Sequence, residues 1–358
     1  MKISNRNYGI DLLRVLSMLF VVILHFLGHG GILQNTIVNS NQYKFFWFVE
    51  IICYIAVDVF ALISGYVFFT REKKNIKFSK YLNLWLQVVF YGVVICLITY
   101  FIKPSILNEK IILGVLFPVM YNSYWYFTAY TGLYFFMPII NVGIKNCDDR
   151  LLKQIFISIF VLFTIVELLN PKFILNGGYS VLWILSLYIM GAILKKTNMF
   201  YNIKNYKLIL LIIALYIITY LYKIYGFEFN FLNLVIYKDS LVSYISPTIL
   251  LISIFYVIIF SKINFNQFFI KIISFLAPST FAIYIVNENS IIRDNIITNM
   301  FKDVANSSIK LTFIKVLLFS IIFVISVILI DKIRILIFKI FKVKRKHLKH
   351  KVLRNLVG

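Results

Sequence analysis

Long apolar runs recur along the chain, separated by short segments that collect Lys, Arg, Asn and Gly. An α-helix rises about 1.5 Å per residue, so crossing about 30 Å of hydrocarbon takes about 20 apolar residues. On that criterion spans are predicted at 9–29, 46–69, 81–102, 123–141, 152–169, 181–195, 206–224, 241–260, 270–292 and 311–337. The 181–195 run is short. The stretch 111–119, broken by Pro118, is expected to be re-entrant or interfacial. The predicted fold class is all-α, a polytopic membrane helix bundle of about ten transmembrane helices.

Composition removes the alternatives. Apolar residues make up 61% of the 358 positions and charged ones 14%, with a mean hydropathy of +0.87. A soluble domain averages about 45–50% apolar and about 25% charged. So few charges could not cover the surface of a water-soluble fold of this size. Gly and Pro number only 14 and 6, which excludes collagenous and low-complexity chains.

The basic charges set the expected orientation. With the N-terminus placed inside, 26 Lys and Arg fall in the segments on that side and 9 on the other. This positive-inside asymmetry places both termini in the cytoplasm, at a cell membrane. It also explains the net charge of +23, so that nucleic acid is not an expected partner. The basic tail KVKRKHLKHKVLR suits anionic membrane lipid instead. The expected division is a transmembrane domain over 1–340 and a basic cytoplasmic tail over 341–358. The first apolar run carries Asp11 and Arg14 and continues through bulky residues to Phe26. It is therefore expected to remain as a helix rather than to be cleaved as a signal peptide. Cys53, Cys96 and Cys147 give no disulfide framework and are expected to act as small hydrophobes.

Candidate chemistry concentrates on the first helix, GIDLLRVLSMLFVVILHFLGHGG. An ionisable group near the membrane centre costs about 2.5–3.5 kcal/mol, so each needs a reason to be there. Asp11 and Arg14 are three apart, a spacing that allows mutual neutralisation. Arg14 and His25 lie on one face, about 16 Å apart along the axis, and His29 continues the stripe. The blander reading is that Asp11 and Arg14 snorkel to the interface while His25 only hydrogen-bonds between helices.

The run IDLLRVLSMLFVVILHF resembles the opening signature of the acyltransferase-3 membrane family, an Arg and a His with ten residues between them. Three further segments resemble that family in order. They are AVDVFALISGYVFF, with Asp58, Ser64 and Gly65; SYWYFTAYTGLYFFMPII, with Trp125 and Tyr126; and LAPSTFAIYIVNEN, with Tyr284. The subtype looks closest to capsular or surface polysaccharide O-acetyltransferases. The resemblance implies transfer of an acetyl group from cytosolic acetyl-CoA to a hydroxyl of a cell-surface glycan or lipid-linked oligosaccharide. His25 would act as general base or transient acyl carrier, and Arg14 would bind the donor or orient the core. Asp11, Asp58, Ser64 and Tyr284 would support them. The late motif departs from the pattern, since Asn287 stands where a His is usual. An Arg pair is also replaced, by Lys77 and Lys80, which keep the charge without the planar fork.

The expected topology places the remaining candidates by depth. Trp125, Tyr126, Trp183, Glu167, Asn287, Glu288 and Asn289 fall near the outer level of His25 and suit an acceptor glycan, or form an ordinary aromatic belt. Arg71, Lys73, Lys74, Lys77 and Lys80 could hold the phosphates of coenzyme A, or serve topology alone. No zinc spacing, nucleotide loop or hydrolase elbow is present, and no metal is expected. The competing function is a transporter or flippase of a lipid-linked sugar, which broken helices and inverted repeats would favour. A glycan polymerase would not call for the Arg and His of the first helix. Richness in Ile, Lys, Asn, Phe and Tyr suggests a bacterial source.

Overall fold

In the computed structural model, residues 6–69, 78–170, 173–226, 229–231, 234–236 and 239–357 are described. Polar residues start many of the helices, because the first N–H groups of a helix have no partner within it. Asn7 receives the N–H of Ile10, Ser40 that of Tyr43, Asp148 that of Leu151 and Ser180 that of Trp183. The principal helices are α1 (Tyr8–Leu27), α2 (Asn41–Cys53), α3 (Ala56–Phe68), α4 (Phe78–Ile102), α5 (Glu109–Leu116), α6 (Trp125–Asn146) and α7 (Asp149–Phe160). They continue as α8 (Val181–Thr197), α9 (Asn205–Tyr225), α10 (Pro247–Ser261), α11 (Gln267–Leu276), α12 (Thr280–Glu288) and α13 (Ile309–Val357).

Eight helical segments among the described residues are long and apolar enough to cross a membrane. The shorter helices α8 and α10 occupy two further predicted spans. The protein is thus a polytopic helical membrane bundle.

Local chemistry corrects several boundaries. The span expected at 46–69 is two helices, with a step at Tyr54–Ile55. The span expected at 270–292 breaks into α11 and α12 at a 3-10 turn over Ala277–Ser279, where Pro278 lacks an N–H to continue the ladder. The seventh helix runs on through a π turn, Val161–Val166. The eighth predicted span starts only at Pro247, a residue suited to the first helical turn, which leaves Tyr244 in the preceding turn. The 111–119 stretch holds α5, eight residues long and therefore too short to span. Two antiparallel three-residue strands, Phe229–Phe231 and Leu234–Ile236, were not foreseen by an all-helical reading. The last helix passes through position 340 without a break, so no change of structure marks the expected tail boundary.

The core is organised around α1, which is packed by α2, α3, α10, α11, α12 and α13. In the most apolar stretch of Tyr8–Asn35, 67% of residues are buried, against 22% in Asp149–Leu169 and 28% in Asn205–Tyr225. The first helix is therefore central and the latter two peripheral. Close packing uses glycine where helices cross. A Cβ on Gly65 would sit 1.9 Å from the Tyr188 carbonyl oxygen, and one on Gly191 would sit 2.1 Å from that of Leu62. The α3–α8 crossing consequently depends on both residues, as small residues do in membrane interfaces. Beyond α1, Asn299 N–H donates to His29 O and Phe301 N–H to Gly30 O, each at 2.9 Å. These bonds tie the C-terminal end of α1 to the loop before α13.

Candidate active site

The stripe on α1 is resolved into two separate groups. At the lower end, Asp11 is 6% exposed and pairs with both neighbouring arginines. Arg14 Nη1 lies 3.0 Å from Asp11 Oδ1, and the Arg6 guanidinium also meets that carboxylate. The i,i+3 spacing thus produces the neutralisation it allows.

At the upper end, His25 Nε2 lies 3.4 Å from Glu288 Oε2, and the two side chains are 19% and 11% exposed. The other carboxylate oxygen, Oε1, is 3.3 Å from Arg293 Nη1. Arg293 Nε in turn donates to Asp294 Oδ1 at 2.8 Å. The four residues form a line, Asp294–Arg293–Glu288–His25, in which each side chain meets the next. The last turn of α12 ends at Glu288, with Asn289 receiving the N–H of Ile291 beyond it. That turn puts Asn287 against His25 as well. The Asn287 amide and His25 Nδ1 are buried without a hydrogen bond of good geometry. The His29 ring meets the His25 ring edge-on, 5.1 Å between centroids.

Of these groups, His25, His29, Glu288 and Arg293 border a cavity of about 240 Å³ that follows α1 from Met18 to His29. Its walls are aromatic. Trp125 lies 4.6 Å from Tyr179 between ring centroids and stacks at 6.5 Å on Tyr244. The rings of Tyr126 and Tyr284 close another side, with the Tyr126 N–H donating to the Tyr284 hydroxyl at 3.1 Å. The Tyr126 hydroxyl is buried with no hydrogen-bond partner.

The structure therefore brings together His25, Trp125, Tyr126, Tyr284, Asn287 and Glu288 from the candidates named in the sequence. Glu288, expected to touch an acceptor, proves to be the carboxyl neighbour of His25. Other candidates stand elsewhere. Glu167 receives the N–H groups of Phe173 at 2.9 Å and Leu175 at 3.2 Å, which orders a loop and keeps it out of the cavity lining. Asp58 receives the indole N–H of Trp183 at 3.0 Å in a fully buried contact between α3 and α8. Ser64 bonds back to Phe60 O at 3.1 Å, beside the Gly65 crossing. Arg71, Lys73, Lys74 and Lys77 lie outside the described residues, and Lys80 is exposed on the first turn of α4. Among the described residues, no group of three or more His, Cys, Asp and Glu could hold a metal ion.

Sequence reasoning missed Arg293, Tyr179 and Tyr244 as cavity residues. Arg293 read only as an outer-loop charge, and nothing local to the two tyrosines distinguishes them from an aromatic belt. Its spacing of five from Glu288 is not a helical-neighbour spacing, and the bond forms because the chain leaves α12 at Asn289 and restarts.

No curated protein and no solved structure matches the chain. The model of the acyltransferase domain family Acyl_transf_3 matches residues 7–331, which include α1, the cavity and every residue of the charged line. The chain belongs to the acyltransferase-3 family and is a membrane acyltransferase.

Proposed function

We propose that this acyltransferase moves an acetyl group from cytosolic acetyl-CoA to a hydroxyl of an extracytoplasmic or lipid-linked cell-surface polysaccharide. The setting would be a bacterial cell membrane and the acceptor a capsular or related surface glycan. The observation that carries this reading is the pairing of His25 with Glu288 at an aromatic cavity inside the bundle.

A hydroxyl is a weak nucleophile until its proton is removed, and imidazole is the side chain suited to remove it near neutral pH. In the proposed step His25 takes the acceptor proton while the oxygen attacks the thioester carbonyl carbon. The carbon–sulfur bond then breaks, and the coenzyme A thiolate recovers the proton. The imidazolium formed on the way lies against the Glu288 carboxylate, which stabilises it as the carboxylate of a hydrolytic triad does. Arg293 holds that carboxylate in place. If His25 carried the acetyl group instead, a labelled acetyl would be trapped on the protein in the absence of acceptor.

The cavity shape supports donor entry from the cytoplasmic end. From Met18 to His29 is eleven residues, or about 16 Å of helix, within about 240 Å³. A slot running that length along α1 suits a linear pantetheine arm. Arg14 lies one turn below Met18, toward the side where Lys80 and its neighbours would meet phosphates. The interrupted spans at Tyr54–Ile55 and Ala277–Ser279 are of the kind transporters use, but family membership sets the class as transferase.

Mass spectrometry of the host glycan with and without the gene tests the reading. The expected result is loss of an acetyl-sized mass from an otherwise intact polymer. Disappearance of the whole polymer would point to export or polymerisation instead.

A further inference from the structure

A second cavity opens beside the first. It has a volume of about 700 Å³ and lies between the segment around α5 and the 288–295 turn. Trp125, Glu288 and Arg293 border both cavities, so the larger one adjoins the slot at these three residues. The linings differ in kind. Where the slot is aromatic and aliphatic, the larger cleft presents asparagine, serine and tyrosine groups.

Several of those amides are held in fixed orientations by the backbone. Asn108 caps α5 by receiving the Ile111 N–H at 2.9 Å, which leaves its Nδ2 for a ligand. Asn295 donates from Nδ2 to Ile291 O at 3.0 Å, which leaves its Oδ1. Asn289 donates to the Tyr124 hydroxyl at 2.9 Å and steadies the wall between the cavities. Pre-oriented amide donors and acceptors beside aromatic faces suit hydroxyl-bearing rings, because each ring hydroxyl can both donate and accept.

Charge narrows the ligand further. The ionisable groups lining the cleft are Lys110, Glu288, Arg293 and Asp294, two of each sign. Arg293 is already engaged by both Glu288 and Asp294. Lys110 stands exposed at the rim. An acidic sugar would therefore meet a cleft whose lining charges balance and whose guanidinium is already held by two carboxylates.

We infer that this cleft, between the α5 segment and the 288–295 turn, is the acceptor subsite, and that it takes neutral, hydroxyl- and amide-bearing sugar units rather than uronic acids. The inference rests on the acyltransfer reading above and adds the place and the charge class of the acceptor. The slot then holds the acyl group beside His25, and the cleft holds the acceptor across Trp125, Glu288 and Arg293, which line both.

The test uses the full chain in lipid nanodiscs with two probes, chitotriose as a neutral oligosaccharide and trigalacturonate as an acidic one. Saturation-transfer NMR should show chitotriose binding and little trigalacturonate. An Asn295→Cys variant that folds and inserts is then modified with a bulky maleimide, so that the cleft is filled only after folding. The modification should weaken chitotriose binding about tenfold or more, the loss expected when one or two hydrogen bonds and their access are removed. His25→Ala should leave chitotriose binding in place. Unchanged binding after modification, equal or stronger binding of trigalacturonate, or binding of neither probe would overturn the subsite. In intact cells the two readings separate. Host-glycan acetylation that proceeds unchanged with the cleft blocked removes the subsite alone. Absence of acetylation by the unmodified protein removes the acyltransfer reading, even with chitotriose seated in the cleft.

Discussion

His25 lies 3.4 Å from the Glu288 carboxylate inside an apolar bundle, where any charge on a side chain needs a partner. Removing a general base costs about 10²–10⁴ in rate and does not require loss of the fold. His25→Ala is expected to insert at normal abundance and to lose glycan acylation. His25→Gln, which keeps hydrogen bonding but cannot shuttle a proton near neutral pH, should be equally inactive. Recovery of activity by Gln would make His25 a structural residue. Glu288→Gln keeps the size and removes the charge beside the imidazole, so a loss of about 10²–10⁴ is expected there too. Wild-type acylation in Glu288→Gln would dissolve the pair as a functional unit. His29, whose ring touches His25 only edge-on, should tolerate Ala with a much smaller loss. Quantifying glycan acetylation against protein abundance decides all four. The first helix made His25 legible because an ionisable group in a span calls for an explanation. Its partner was not legible in that role, since only the folded α12 brings Glu288 across to it.

Among the elements, the α3–α8 crossing shows how a motif residue can serve packing. Gly65 allows backbone contact with Tyr188, while Asp58 holds the indole of Trp183. Gly65→Val must push the helices apart and is expected to cost about 1–3 kcal/mol, read as a lower melting temperature in detergent. Asp58→Asn keeps an oxygen for the indole N–H and should leave both stability and acylation near wild type. Asp58→Leu leaves that N–H unpaired at a cost of about 1–3 kcal/mol. Loss of acylation in a stable Asp58→Asn protein would give Asp58 a role in the reaction and not only in the crossing. The interrupted elements matter equally. The break around Pro278 ends α11 and starts α12, whose final turn presents Asn287 and Glu288 to α1.

For the molecule as a whole, the 26-to-9 partition of Lys and Arg sets an orientation that reporter fusions can test. Fusions at Lys74, Asp149 and the C-terminus should report the cytoplasm, and fusions near Asn39 and Asn306 the outside. An external C-terminus would reverse every depth relation, including the side from which each cavity is reached. If the Lys cluster at 71–80 meets donor phosphates, neutralising Lys77 and Lys80 together should raise the acetyl-CoA requirement, as should added salt. Unchanged donor kinetics in that double variant would return the cluster to topology alone.

Hydrophobic run length decided that this chain is a membrane bundle, because the thickness of hydrocarbon fixes how many apolar residues a crossing helix needs. The same sequence marked α1 as the candidate functional helix through Asp11, Arg14 and His25, each costly in lipid without a partner. Tertiary structure decided the partners. Two carboxylates of similar sequence context met opposite fates: Glu167 was drawn into capping a loop, while Glu288 was set beside His25. Nothing in either local sequence separates those outcomes, since they follow from where π turns, a proline break and glycine crossings let helices approach. Helical periodicity links residues three or four apart on one element. The site is made of α1, α3, α6, α12 and connecting segments, and only the packing of the whole bundle brings them within reach of one another.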